Sequence, residues 1–109
     1  MRKVESNMIA AVKARKDLRC GNTVVEQGEN GYAEVRLFGN RIARLNYING
    51  LIELSDCGYR TATTKSRLNA LLHSFTNTGG GQGIYQQRFE WSWKDGQEWD
   101  GSCIARLLV

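Results

Sequence analysis

The clearest pattern in the chain is a run of short apolar-rich segments punctuated by turn residues between positions 23 and 55. TVVEQ (23–27) is β-branched, YAEVRLF (32–38) runs to Gly39-Asn40, RIARLNYI (41–48) runs to Asn49-Gly50, and LIELS (51–55) follows. Asn-Gly suits the two positive-φ positions of a type I′ hairpin and Gly-Asn suits a type II′ turn, so these segments predict a four-strand antiparallel meander. Two-residue loops at 39–40 and 49–50 would set Leu37 opposite Ile42 and Tyr47 opposite Ile52. In that register both faces are apolar in part: Leu45, Tyr47, Ile52 and Leu54 share one, while Val35, Leu37, Ile42 and Ile48 share the other with Arg44 and Glu53. A sheet apolar on both sides must be covered twice, by helices and later strands or by a second subunit, and the reading predicts a homo-oligomer; a β-bulge that shifts the pattern is the rival explanation.

Helical periodicity appears twice. Residues 6–19 carry a loose stripe of Met8, Ala11, Val12 and Leu18, with Ser6 or Asn7 to cap the start and Cys20-Gly21-Asn22 to stop it. Residues 64–75 carry a cleaner one, Leu68, Leu71, Leu72 and Phe75, behind a Thr63 or Thr64 cap. The glycine-rich TNTGGGQG (76–83) is a connector; it follows a helix and opens a strand, the reverse of a phosphate-binding loop. IYQQRFEWSWK (84–94) reads as a strand with Tyr85, Phe89, Trp91 and Trp93 on one side, either core or a stacking platform. CIARLLV (103–109) reads as the last strand, and Trp99, between two turns, reads as an exposed partner hot spot. The order is α-β-β-β-β-α-β-β in a single domain spanning 1–109. It is an α+β fold: a meander with an N-terminal helix, a second helix and a C-terminal strand pair.

Charge adds a direction. The formal charge of +4 is accounted for by residues 1–20, where Arg2, Lys3, Lys13, Arg15, Lys16 and Arg19 face only Glu5 and Asp17. Residues 57–89 contain Arg60, Lys65, Arg67 and Arg88 and no acid. Such asymmetry favours anionic partners. No run approaches the ~18 apolar residues of a membrane span, and the N-terminus lacks a signal-peptide h-region.

Catalytic and metal chemistry find little footing. His73 is the only histidine and falls on the polar side of its helix, and no HExxH, GxSxG or Walker pattern occurs, so no catalytic residue and no cofactor is expected. Cys20, Cys57 and Cys103 with His73 could formally make a Cys3His site, but their wide spacing reads as three separate thiols and no metal site is expected. One place breaks a local rule. With Thr64 as cap, Lys65 and Arg67 fall in the first helical turn and Arg60 in the entering loop, although a helix N-terminus prefers acids. The misfit costs only about 0.3–1 kcal/mol per charge, so a solvated face is one explanation. The other is an anion site made by Arg60, Thr61, Thr63, Thr64, Lys65 and Arg67, with Lys13, Lys16, Arg19 and Arg88 as a secondary basic surface.

The segments LFGNRIARL (37–45) and LSDCGYRTATTKSRLNALL (54–72) resemble small accessory proteins encoded by tailed bacteriophages. The shared features are a Gly-Asn turn followed by Ile-Ala and a Gly-aromatic-Arg-Thr segment leading into Thr-Thr-Lys-Ser-Arg-Leu-Asn, with Tyr59 here where Trp is common. The resemblance covers residues 37–72 and carries over no catalytic or binding assignment. It implies a non-enzymatic phage protein, active in the cytoplasm of the bacterial host, that binds and blocks a host or defence macromolecule. Direct nucleic-acid binding and capture of a small nucleotide are the alternatives.

Overall fold

The computed structural model describes residues 2–76, 84–87, 90–93 and 99–108, with the 85–87 and 90–93 segments described by their backbone alone. The described residues form an α+β fold, with two helices packed on one face of a six-stranded antiparallel sheet. In chain order these are α1 (Lys3–Ala14), β1 (Leu18–Cys20), β2 (Thr23–Gln27), β3 (Tyr32–Leu37), β4 (Asn40–Asn46), β5 (Leu51–Ser55), α2 (Ala62–Phe75), β6 (Ile84–Gln87), β7 (Glu90–Trp93) and β8 (Ser102–Arg106). The sheet order is β1-β2-β3-β4-β5-β8, so the predicted meander is present with one strand added at each edge. β6 and β7 pair separately as a hairpin, where the sequence pattern predicts one continuous strand. The glycine-rich connector, Arg88, and the side chains of Tyr85, Phe89, Trp91 and Trp93 lie outside the described residues.

The first helix runs Lys3–Ala14 rather than the predicted 6–19: it starts ahead of Ser6 and Asn7, which lie inside it, and its stop is not a glycine. Arg15 adopts a left-handed backbone (φ 53°), and the N–H groups of Arg15 and Lys16 return to the carbonyls of Val12 and Ala11 at 3.2 and 2.9 Å, a Schellman closure. An arginine there costs about 1–2 kcal/mol relative to glycine. It is offset by stacking: the Arg15 guanidinium lies 4.3 Å from the centre of the Tyr47 ring, whose hydroxyl donates to the Val12 carbonyl at 3.2 Å. The chain is then free to form β1, and Gly21-Asn22 becomes the two-residue β1–β2 turn rather than a helix stop.

Two turn registers also differ from expectation. Leu37 pairs with Asn40, so the β3–β4 turn is Phe38-Gly39 with both φ values positive (51° and 82°), a type I′ geometry with phenylalanine in the first position. Asn46 pairs with Leu51, leaving a four-residue loop in which the Asn46 side-chain oxygen accepts the N–H groups of Ile48 (2.9 Å) and Asn49 (3.2 Å). Gly31 (φ 78°) passes so close to that loop that a Cβ would meet Ile48 at 3.0 Å. A register shift between Val35 and Arg36 completes the correction: the bulge is real, and the sheet is not apolar on both sides. Val25, Ala33, Val35, Ala43, Leu45, Ile52 and Leu54 all face the helices. The opposite face carries Glu26, Glu34, Arg36, Arg41, Arg44 and Glu53, with Arg36 reaching Glu26 and Glu34 at 3.6 and 3.5 Å and Arg41 reaching Glu34 at 3.3 Å. The two-sided argument for a homo-oligomer therefore falls away.

Met8, Ile9 and Val12 from α1 and Leu68, Leu71 and Leu72 from α2 fill the space above the sheet, joined by Ile84 and Trp99. Between the helices sits a buried ion pair. Arg67 donates from Nη1 to Glu5 at 2.7 Å and from Nε to Thr23 Oγ1 at 3.1 Å, and Ser66 also donates to Glu5. Both charged side chains are 5% exposed. Replacing Glu5 alone with Leu should strand a buried guanidinium and cost about 3–5 kcal/mol, whereas Glu5→Leu with Arg67→Met should recover most of that loss. Equilibrium urea denaturation of the single and double variants checks this; equal instability of the two would deny the coupling.

Candidate functional site

The segment from β5 to α2 is organised by one carboxylate. Asp56 follows β5, and its backbone N–H donates to the Gly101 carbonyl at 2.9 Å. Cys57 and Gly58 then take left-handed conformations (φ 54° and 82°), and the Tyr59 N–H closes the turn on the Asp56 carbonyl at 2.8 Å. The buried Asp56 side chain accepts from Gly58 N–H at 2.8 Å, Trp99 Nε1–H at 2.9 Å and Arg60 Nε–H at 3.2 Å. Arg60 also donates to the Trp99 carbonyl at 3.0 Å. This node ties the entrance of α2 to the segment before β8.

The true cap of α2 is Thr61, whose hydroxyl oxygen accepts the Thr64 N–H at 3.1 Å and lies 2.9 Å from the Thr64 hydroxyl. The helix thus begins earlier than the 64–75 span predicts. That shift moves the predicted anion-site residues apart. Arg67 lies a turn deeper and is buried against Glu5 and Thr23. Arg60 is held by Asp56 and the Trp99 carbonyl. Lys65 lines a groove between the helices with Arg2, Glu5, Ser66, Asn69 and His73. Thr63 is half-buried, and Thr61 and Thr64 stay together. Three cations do not converge on one volume, because two of them meet acids that are distant or turn-hidden in the sequence. Trp99 corrects the hot-spot expectation: it is 2% exposed, since Asp56 supplies its indole N–H with a buried acceptor. Lys13, Lys16 and Arg19 are exposed, the first in the last turn of α1, the second just after it and the third on β1.

What the structure brings to the start of α2 is a cleft of about 300 Å³ lined by Leu37, Phe38, Asn40, Asp56, Tyr59, Thr61 and Thr64. Two large aromatic side chains stand at it largely in solvent, Phe38 at 72% and Tyr59 at 58% exposure. Sequence reasoning missed both. Taking Gly39-Asn40 as the turn placed Phe38 at the end of a strand, whereas it occupies the first position of the turn with φ 51°, where a bulky residue is an outlier.

A larger open groove, about 750 Å³, runs over β4, β5 and β8 and is lined by Arg41, Arg44, Glu53, Cys57, Cys103 and Ile104. Its charges are of both signs, and the Arg44 guanidinium is stacked 4.0 Å above the Tyr32 ring. The three cysteines carry free thiols, and among the described residues no group of three or more His, Cys, Asp or Glu side chains could hold a metal ion. No helix among the described residues is long and apolar enough to cross a membrane.

A family model described as Kyanoviridae Gp96 protein matches residues 1–105. The chain belongs to that family. It is therefore a bacteriophage protein, in keeping with the resemblance seen over residues 37–72. The family match takes in both helices, the cleft and the Asp56 node. No curated protein and no solved structure matches the chain.

Two expectations follow from this geometry. Asp56→Ala should cost about 1–3 kcal/mol by leaving the buried Trp99 N–H without its acceptor. Arg60→Ala, whose side chain is 42% exposed, should cost no more than about 1 kcal/mol; thermal denaturation of both variants gives the comparison. Burial first, and the Asp100 charge second, push the Cys103 thiol from 9.0 up to about 11. At pH 8 its thiolate fraction, and with it the rate of iodoacetamide alkylation, should be about 100-fold below that of an unperturbed thiol, rising as pH rises. Peptide mapping after timed alkylation measures this.

Proposed function

We propose that this bacteriophage protein is a non-catalytic accessory protein that binds and blocks a host or defence macromolecule, using the cleft at the start of α2 as its contact. One observation carries the reading: Phe38 is held in a strained left-handed turn and presented to solvent beside Tyr59. Asn-Gly would suit the type I′ turn better than Phe-Gly, so the aromatic is retained against local backbone preference. Interface hot spots are aromatic anchors that become buried on binding, encircled by polar groups that exclude water. Phe38 and Tyr59 supply the anchors, while Asn40 and Thr61 supply a polar rim. The surface takes over from the cation-based site suggested by the residues 60–67 pattern, keeping Thr61 and Thr64 and releasing Arg60, Thr63, Lys65 and Arg67.

The reading separates stability from function at a single residue. Phe38→Asn should raise stability by about 0.5–1 kcal/mol through relief of turn strain and should also abolish partner capture. The test is affinity capture from nuclease-treated host lysate with the wild type, Phe38→Asn and Tyr59→Ser, alongside thermal denaturation of each. A protein retained by the wild type and lost with both variants supports the proposal. Equal retention by Phe38→Asn, or no protein retained after nuclease treatment, overturns it.

A further inference from the structure

The two layers of the fold treat charge differently. The sheet's outer face mixes acids and bases, and Arg36 and Arg41 pair there with Glu26 and Glu34. Across α1 and α2 the only acid is Glu5, which is buried and committed to Arg67. The exposed helical surface is left with cations alone: Arg2, Lys3 and Lys13 on and before α1, Arg15 and Lys16 just after it, and the half-buried Lys65 on α2. Among the described residues none of these has an ionic partner within 4 Å. Asp17, the next acid along the chain, lies beyond α1 and accepts the Gln27 N–H at 2.7 Å.

The shape of this surface narrows the partner. Lys3, Ser6, Ala10 and Lys13 are exposed and recur at intervals of three and four, so they share one stripe of α1. Its ends are cationic, its middle has small side chains, and ten residues at 1.5 Å rise give a length of about 15 Å. A nucleic-acid duplex presents on the order of nine phosphates over that distance. Protein interfaces need apolar anchors, and the exposed large hydrophobic residues among those described are Phe38, Ile48, Tyr59, Ile104 and Leu108, none of them on a helix. Charge without anchors is what backbone binding requires.

We infer that the outer face of the helical layer, centred on Lys3, Lys13 and Lys16 with Arg2 and Lys65 alongside, is a surface for the phosphate backbone of a nucleic-acid duplex, independent of sequence. It is separate from the aromatic cleft and does not rest on it.

The test is fluorescence anisotropy with a labelled 25-base-pair DNA duplex from about 20 to 200 mM salt, using the full chain. Affinity should fall steeply with salt. The Lys3→Glu, Lys13→Glu, Lys16→Glu variant should bind roughly tenfold or more weakly at low salt, and the log–log salt slope should shrink by about one unit per lysine. The substituted positions are exposed, and circular dichroism verifies folding; should the triple-Glu variant unfold, Lys→Gln at the same three sites gives the same comparison. Phe38→Asn should bind the duplex like the wild type, so failure of the cleft reading leaves this one standing. No binding at tens of micromolar protein in low salt, binding unchanged by the triple substitution, or equal competition by polyglutamate at matched charge would overturn it.

Discussion

The buried pair of Glu5 and Arg67 sets the terms for the rest of the molecule. It joins the first turn of α1 to the second turn of α2, and through Thr23 it reaches the start of β2, so three elements share one polar contact. A charge pair of this depth adds little net stability over an apolar core, since desolvation offsets most of the attraction. What it adds is orientation. With Arg67 turned toward Glu5, the rest of α2 can present Leu68, Leu71 and Leu72 to the sheet, and the helices cannot slide past one another without leaving a charge buried alone.

The same pair explains why the sequence suggests an anion site that the fold takes apart. Read locally, Arg60, Lys65 and Arg67 are cations gathered at a helix start with no acid among residues 57–89. Their partners come from elsewhere: Glu5 lies some sixty residues upstream, and Asp56 reaches Arg60 only because a tight turn folds the chain back. Charge counting in one dimension cannot see the first contact; the second spans only four residues but lies just outside the acid-free run 57–89. The apolar stripe of α2 was legible for the opposite reason, since its periodicity depends only on neighbours three and four residues apart.

Elsewhere the limit of legibility was the backbone. The meander was visible from its turns, but its register was not, because Phe38 takes a left-handed turn position and Asn46 opens a four-residue loop. Arg15 hides the end of α1 in a similar way, with a left-handed conformation that favours glycine. Arg15 has the Tyr47 ring beneath it and Lys16 bonded to Ala11, so its strain is compensated within the fold. Trp99 was misplaced by similar logic: its position between turns says nothing of the carboxylate waiting beneath the start of α2.

Phe38 differs from Arg15 on this point, and the difference carries the functional argument. Its backbone N–H does bond to the Asn22 carbonyl at 2.8 Å, which braces the turn against the β1–β2 loop, but its ring stays largely in solvent. The backbone is held and the side chain is not used by the fold. A strained residue whose side chain contributes little burial gains little within the fold from being aromatic, and the proposed contact rests on that. Because that turn belongs to the sheet while the cations belong to the helices, the two proposed contacts draw on different layers, and the buried pair of Glu5 and Arg67 keeps those layers in one fixed relation.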